Sequence, residues 1–312
     1  MNPRKRRRSA GRAETKRTVF GSRRVIRDGV RYRDVQRQSR RTERDTAPST
    51  ETCTLADGRT LAYAVAGDAG GTPVVAHHGT PGSRLFASLL ADAAAERGVR
   101  LLVPDRPGYG RSSPPPDDWR RRDWRRDVAA LLDAESVERC GVMGFSGGGP
   151  FALAAGASDR ADRVALVGTV VPPADVAVVR LARVPFAVRA LFRLAGAYAS
   201  VAGPDAVVGQ YTDRSVSEAV SRAVEDDFRE ALRQGARAVE RENRSFADEW
   251  TGIERVSGPV RAWHGTRDEN APLSAVRDFA SGNDVTLAVT ETDHLATLLE
   301  HRGEALRWLS ER

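Results

Sequence analysis

The stretch from Cys140 to Ala155, CGVMGFSGGGPFALAA, constrains the chain more than any other. Its first half, with Val142, Met143 and Phe145, reads as a buried strand. Its second half, from Phe151 to Ala155, reads as a helix. Between them Gly144-Phe145-Ser146-Gly147-Gly148 forms a G-x-S-x-G turn. A serine at the tip of so sharp a strand-to-helix turn sits in a strained backbone conformation, and its neighbours must be small. Gly144 and Gly148 flank Ser146 two residues away on either side, where side chains would collide. Gly147 leaves its N–H open to close approach by a ligand. Pro150 falls in the first helical turn, where a missing N–H does no harm. The helix N-terminus favours negative charge beside Ser146.

The rest of the chain alternates strands and helices around this turn. Thr52–Leu55 and Thr60–Val65 read as a hairpin with Asp57-Gly58 at its tip. Pro73–Ala76, Val99–Val103, Gly141–Phe145, Arg163–Val167, Val260–Trp263 and Val285–Val289 read as buried strands. Leu85–Glu96, Asp123–Ala134, Leu273–Ser281 and His294–Ser310 read as helices. Such alternation after an opening hairpin predicts an α/β domain with a mostly parallel sheet. Residues 172–250 break the pattern. Val176–Leu194, Ala206–Tyr211, Ser215–Arg222 and Asp226–Glu242 read as an all-helical insertion, a lid, with Val184, Phe186, Leu191 and Phe192 as packing residues. The core is then 48–171 and 251–312.

Charge separates a third segment. Residues 1–47 hold 17 Lys and Arg against 5 Asp and Glu, which leaves 32 basic and 37 acidic residues in 48–312. The formal charge of +7 thus belongs to the arm and not to the body. With few apolar residues and no periodicity, 1–47 reads as a disordered basic arm. It is a solvated extension, an upstream stretch, or a tether to nucleic acid or an anionic surface. The start lacks the apolar segment of a secretory signal. No apolar run reaches the roughly 18–20 residues needed to span a membrane, so the expected location is cytoplasmic. Cys53 and Cys140 have neither metal spacing nor a disulfide framework, and read as small buried apolar residues. No Asp or His cluster suggests a metal site.

Four segments occur in a telling order: HHGTPGS, DRPGYGRS, GFSGGGP, and the pair HGTRD and TDH. Together they resemble the α/β-hydrolase fold superfamily over about residues 50–312. The resemblance implies an eight-stranded, mostly parallel sheet with a helical lid after the sixth strand. It implies Ser146 as nucleophile, Asp268 as acid after the seventh strand, and His294 as base after the eighth, in the chain order of this fold. The N–H groups of Thr80 and Gly147 resemble the oxyanion hole. Glu269, Asp293 and Asp105 are rival acids; His77, His78, His264 and His301 are rival bases. A serine at the elbow implies attack on an acyl carbon, so the expected activity is ester hydrolysis of a small acyl substrate without a cofactor. Perhydrolysis is an implied side activity. An aminopeptidase or amidase of the same fold, with Glu225, Asp226 and Asp227 as an amine-binding cluster or simply a solvated helix start, stays open. So does a non-catalytic binding module.

Overall fold

In the computed structural model, residues 48–184, 186–247, 256 and 258–311 are described. The basic arm expected at 1–47 lies outside them. Eight strands form one sheet: β1 (Ser49–Thr54), β2 (Thr60–Gly67), β3 (Thr72–His77), β4 (Val99–Pro104), β5 (Cys140–Phe145), β6 (Ala161–Val167), β7 (Val260–Gly265) and β8 (Val285–Thr290). Their order is β1-β2-β4-β3-β5-β6-β7-β8. β2 runs antiparallel to β1 and β4, and the strands from β4 to β8 are parallel. The eight-stranded, mostly parallel α/β sheet expected from the sequence is therefore present. The hairpin turn falls at Asp57-Gly58, with Gly58 at φ +82.

The topology locates a crevice before any side chain is considered. From β3 the chain crosses to β4 on one side, and then back to β5 on the other. Loops leaving the carboxyl ends of β3 and β5 therefore diverge, and open α/β sheets bind ligands at such a point. The β3 loop carries His78-Gly79-Thr80 and the β5 loop carries Ser146. β5 is buried along its whole length. Above and below it lie two apolar layers, one around Phe86, Leu101, Met143 and Trp263, the other around Trp124, Val142, Phe151 and Leu166. Truncating Met143 to alanine in such a layer costs about 2–5 kcal/mol.

Helix boundaries depart from expectation where packing decides them. The single helix expected at Leu85–Glu96 is a 3-10 turn, Arg84–Leu89, followed by Ala91–Glu96. Between β6 and β7 the helices are Ala177–Leu181, Ala187–Ala202, Pro204–Val208, Glu218–Ala231 and Arg237–Phe246. The helix expected at Val176–Leu194 is thus broken before Ala187, where Phe186 adopts a left-handed backbone at φ 64. The helix expected at Asp226–Glu242 is broken at Gly235, which has φ +83 and suits a chain reversal that other residues resist. Of the four apolar residues expected to pack, only Phe192 does so; Val184, Phe186 and Leu191 are exposed. The helix Ala187–Ala202 meets the core through Val188 and Ala199, on a different face.

Candidate active site

Ser146 stands where β5 turns into the helix Gly149–Gly156, and its backbone is left-handed at φ 53. For a residue with a Cβ that conformation is strained, and the surrounding glycines are what permit it. A Cβ on Gly144 would lie 2.7 Å from the Gly148 carbonyl oxygen, and one on Gly148 would lie 2.4 Å from that of His77. A Cβ on Gly147 would strike the Thr80 side chain at 2.3 Å. The β3 and β5 loops are thus in contact at the two expected N–H donors.

His294 opens the last helix, His294–Ser310, directly after β8. Its Nδ1 lies 2.7 Å from Asp268 Oδ2. The other Asp268 oxygen accepts the N–H groups of Asn270 (3.0 Å) and Ala271 (2.9 Å). Burial pushes the Asp268 carboxyl up, but His294 and the Ala271 N–H outweigh it and hold the group below the usual carboxylate range. Gly168 closes the back of this pair at φ +51; a Cβ there would come within 3.3 Å of His294 Nδ1 and 3.4 Å of Asp268 Oδ2.

Each rival group has another role. Asp293 caps the last helix through the Ala296 N–H at 2.9 Å, and accepts the Thr212 hydroxyl at 2.7 Å. Glu269 is exposed. Asp105 is buried under the β4 loop, binding the N–H of Arg84 and Arg111 and the Arg84 guanidinium. His77 bonds the Met143 carbonyl, and burial lowers its pKa to about 3. His78 accepts the Arg106 N–H, and His264 bonds the Ala271 carbonyl. His301 is half-buried against Thr290. Cys140 is buried and Cys53 half-buried, both as free thiols.

A cleft of about 470 Å³, counted to its open mouth, collects the loop ends. Gly79, Thr80, Ser146 and His294 line it, with Phe86 and Phe145 on its apolar wall. Tyr211, Val224, Asp227 and Phe228 line it from the segment between β6 and β7. Glu225–Asp227 is therefore not a solvated helix start. It lies mid-helix, with Asp227 buried and accepting both the N–H and the hydroxyl of Ser83 at 2.7 Å. Burial raises the Asp227 pKa to about 7 against those bonds.

Sequence reasoning missed the support behind the β3 loop. Arg106 is fully buried. It donates to the His78 carbonyl, the Gly79 carbonyl (2.9 Å) and Thr80 Oγ1 (2.9 Å). It also pairs with both oxygens of Glu242, each at 2.8 Å. Glu242 in turn accepts the hydroxyls of Thr80 (2.7 Å) and Tyr109 (2.9 Å). Arg106 lies in the DRPGYGRS loop, which reads as a turn, and Glu242 lies in a helix crowded with charge. Nothing local marks them as partners.

A family profile described as the alpha/beta hydrolase fold matches residues 72–283. The chain belongs to that family. An uncharacterized hydrolase of Bacillus subtilis is 38% identical over 100 residues, 32% of this chain and 34% of that protein. A non-heme chloroperoxidase of Streptomyces lividans is 34% identical over 124 residues, 39% of this chain and 45% of that one. The chain thus matches less than half the length of these relatives. An alpha/beta hydrolase fold protein from Nakamurella multipartita superposes with a TM-score of 0.63 at 22% identity, over 84% of this chain and 99% of its own. The elbow and the β8 loop meet in one cleft, and the β7 loop reaches it through the Asp268–His294 hydrogen bond.

Proposed function

We propose that the chain is a serine hydrolase that cleaves a small carboxylic ester through an acyl-enzyme intermediate. The observation that carries this reading is the 2.7 Å Asp268–His294 hydrogen bond, with His294 and Ser146 lining one cleft. Ser146 Oγ attacks the acyl carbon as His294 Nε2 takes its proton. Asp268 fixes the tautomer through Nδ1–H and stabilises the imidazolium. The N–H groups of Thr80 and Gly147 receive the oxyanion; one such donor is worth about 3–4 kcal/mol of barrier. His294 then returns the proton to the leaving alcohol, and water repeats the sequence on the acyl-enzyme to release the acid. The helices between β6 and β7 act as a lid, since four of their residues and loop residues wall the cleft.

Asp227 favours a second reading. A buried carboxyl that faces the acyl pocket suits a substrate bearing an amine or hydroxyl donor near the scissile bond, including an aminoacyl amide. The test for both is hydrolysis of p-nitrophenyl esters from acetate to long acyl chains, and of aminoacyl p-nitroanilides, by wild type and Ser146→Ala. Ester turnover lost by roughly 10³-fold or more in the variant supports the first reading. Faster turnover of the anilides supports the second. Equal turnover by both proteins removes Ser146 as nucleophile, and no turnover of any substrate points to a binding module.

A further inference from the structure

Among the described residues, six of the seven exposed large apolar side chains lie between Val184 and Val201. Leu191, Leu194, Tyr198 and Val201 follow one another at spacings of three and four, and so form a single stripe along the helix Ala187–Ala202. Leu194 is 71% exposed, Tyr198 64% and Val201 89%. The core-facing side of the same helix is also apolar, through Val188, Phe192 and Ala199. A helix apolar on both sides is ordinarily buried on both sides. Isolated exposed apolar residues need no explanation, whereas a continuous stripe does.

The charge around the stripe says what covers it. From Val176 to Pro204 the sequence holds Arg180, Arg183, Arg189 and Arg193, and no acidic residue. On another face of the same helix a surface cleft is lined by Phe186, Arg189, Ala190, Arg193, Gln234 and Arg237. Arg189 is paired with Glu240, whereas Arg193 and Arg237 make no ion pair among the described residues and leave two unpaired cations at this cleft. Phe186 joins the two features. Its left-handed backbone is held by the buried Glu240, which accepts the Phe186 N–H at 3.2 Å and also pairs with Arg189. A strained backbone that keeps a phenyl ring 65% exposed is a cost that the surrounding structure maintains.

We propose that the helix Ala187–Ala202 docks on an anionic phospholipid surface, with Phe186, Leu191, Leu194, Tyr198 and Val201 in the acyl boundary and the Arg189–Arg193–Arg237 cleft on lipid phosphates. An apolar helical face with arginine on the helix's polar face is the recognised chemistry of a helix lying in the membrane interface. Guanidinium groups bind phosphate oxygens in pairs, which gives the cleft its preference for anionic headgroups. A second copy of the chain would bring its own unpaired Arg193 and Arg237 against these two, so the charge disfavours that occupant. The docked face leaves Ser146 and its cleft free of the stripe, since none of the stripe residues lines the catalytic cleft.

The test is flotation of the full chain with vesicles of phosphatidylcholine alone or with phosphatidylglycerol. Wild type is compared with the triple variant Leu191→Ser, Leu194→Ser, Val201→Ser, and with Arg193→Glu, Arg237→Glu. The expected result is binding to the anionic vesicles only, weakened about tenfold or more in each variant, with p-nitrophenyl acetate turnover and melting temperature unchanged. Binding by the triple variant equal to wild type would overturn the proposal and assign any vesicle affinity to the basic arm. Absence of wild-type binding would overturn it too. A wild-type dimer that the triple variant abolishes would assign the stripe to a second copy.

Discussion

The sharpest test of the site concerns Glu242, which touches neither Ser146 nor His294. It is a positioning residue, and Glu242→Gln is the perturbation of choice because shape is kept while charge is lost. Glu242 Oε2 accepts three donors, from Thr80, Tyr109 and Arg106, and Oε1 accepts Arg106 Nε. A glutamine has one acceptor oxygen. If it faces the three donors, its amide nitrogen faces Arg106 Nε, donor against donor. The loss is one charge-assisted bond and the charge of the pair, about 1.5–3 kcal/mol. Outright removal in Glu242→Ala strands a buried guanidinium and costs about 3–5 kcal/mol. A domain of ordinary stability survives either change, with Tm lowered by roughly 10 °C in the alanine variant.

The kinetic consequence follows from what Arg106 holds. Its guanidinium grips the carbonyls of His78 and Gly79, the two residues that aim the Thr80 N–H. A shift of that loop misplaces the Thr80 N–H, the proposed oxyanion donor, without disturbing ground-state binding. The expected result for Glu242→Gln is therefore kcat lowered about 10- to 100-fold with KM within about threefold. The assay is p-nitrophenyl acetate turnover with a melting curve on the same sample, repeated for Glu242→Asp. A purely structural role for the network predicts a lowered Tm with wild-type kcat below the transition. That outcome would refute the reasoning, as would a change in KM alone.

Three further outcomes are expected. Asp227 has a folded pKa of about 7 against an ordinary value of 3.8, so it binds more protons in the folded state, and its contribution to stability is full below about pH 4 and lost as pH rises to about 7. Asp227→Asn does not titrate; its Tm advantage over wild type should grow from pH 4 to pH 7 and then level off, and a pH-independent difference in calorimetry would contradict the assignment. Gly168→Ala puts a methyl group beside His294 and Asp268 at a left-handed position, so kcat should fall by tenfold or more with a stability loss of about 1 kcal/mol or greater. Asp268→Asn should lower kcat by about 10³- to 10⁴-fold while leaving KM close to wild type, and retention of activity would transfer the acid role elsewhere.

The parts of this chain legible in the sequence are those whose physics is local. The elbow is legible because a serine at φ 53 demands small neighbours at fixed offsets, and those offsets are in the sequence itself. The pairing of His294 with Asp268 is legible by order, since each follows a strand near the chain's end. Burial is a different matter. Asp227 sits between Asp226 and Phe228 on the face that Val224, Phe228 and Ala231 bury, and the tertiary fold turns that face into the cleft. Arg106 and Glu242 lie 136 positions apart, so their pairing is a property of the closed structure alone. The helix Ala187–Ala202 shows the same limit from the other direction. Apolar periodicity says that a face is apolar, and an isolated chain supplies only one of the surfaces such a face can meet. Leu191 and Phe192 are neighbours in sequence, yet one packs on the protein and the other faces outward. An apolar residue expected in the core and found at the surface is thus a positive observation, and it is the one from which the proposed docking surface is argued.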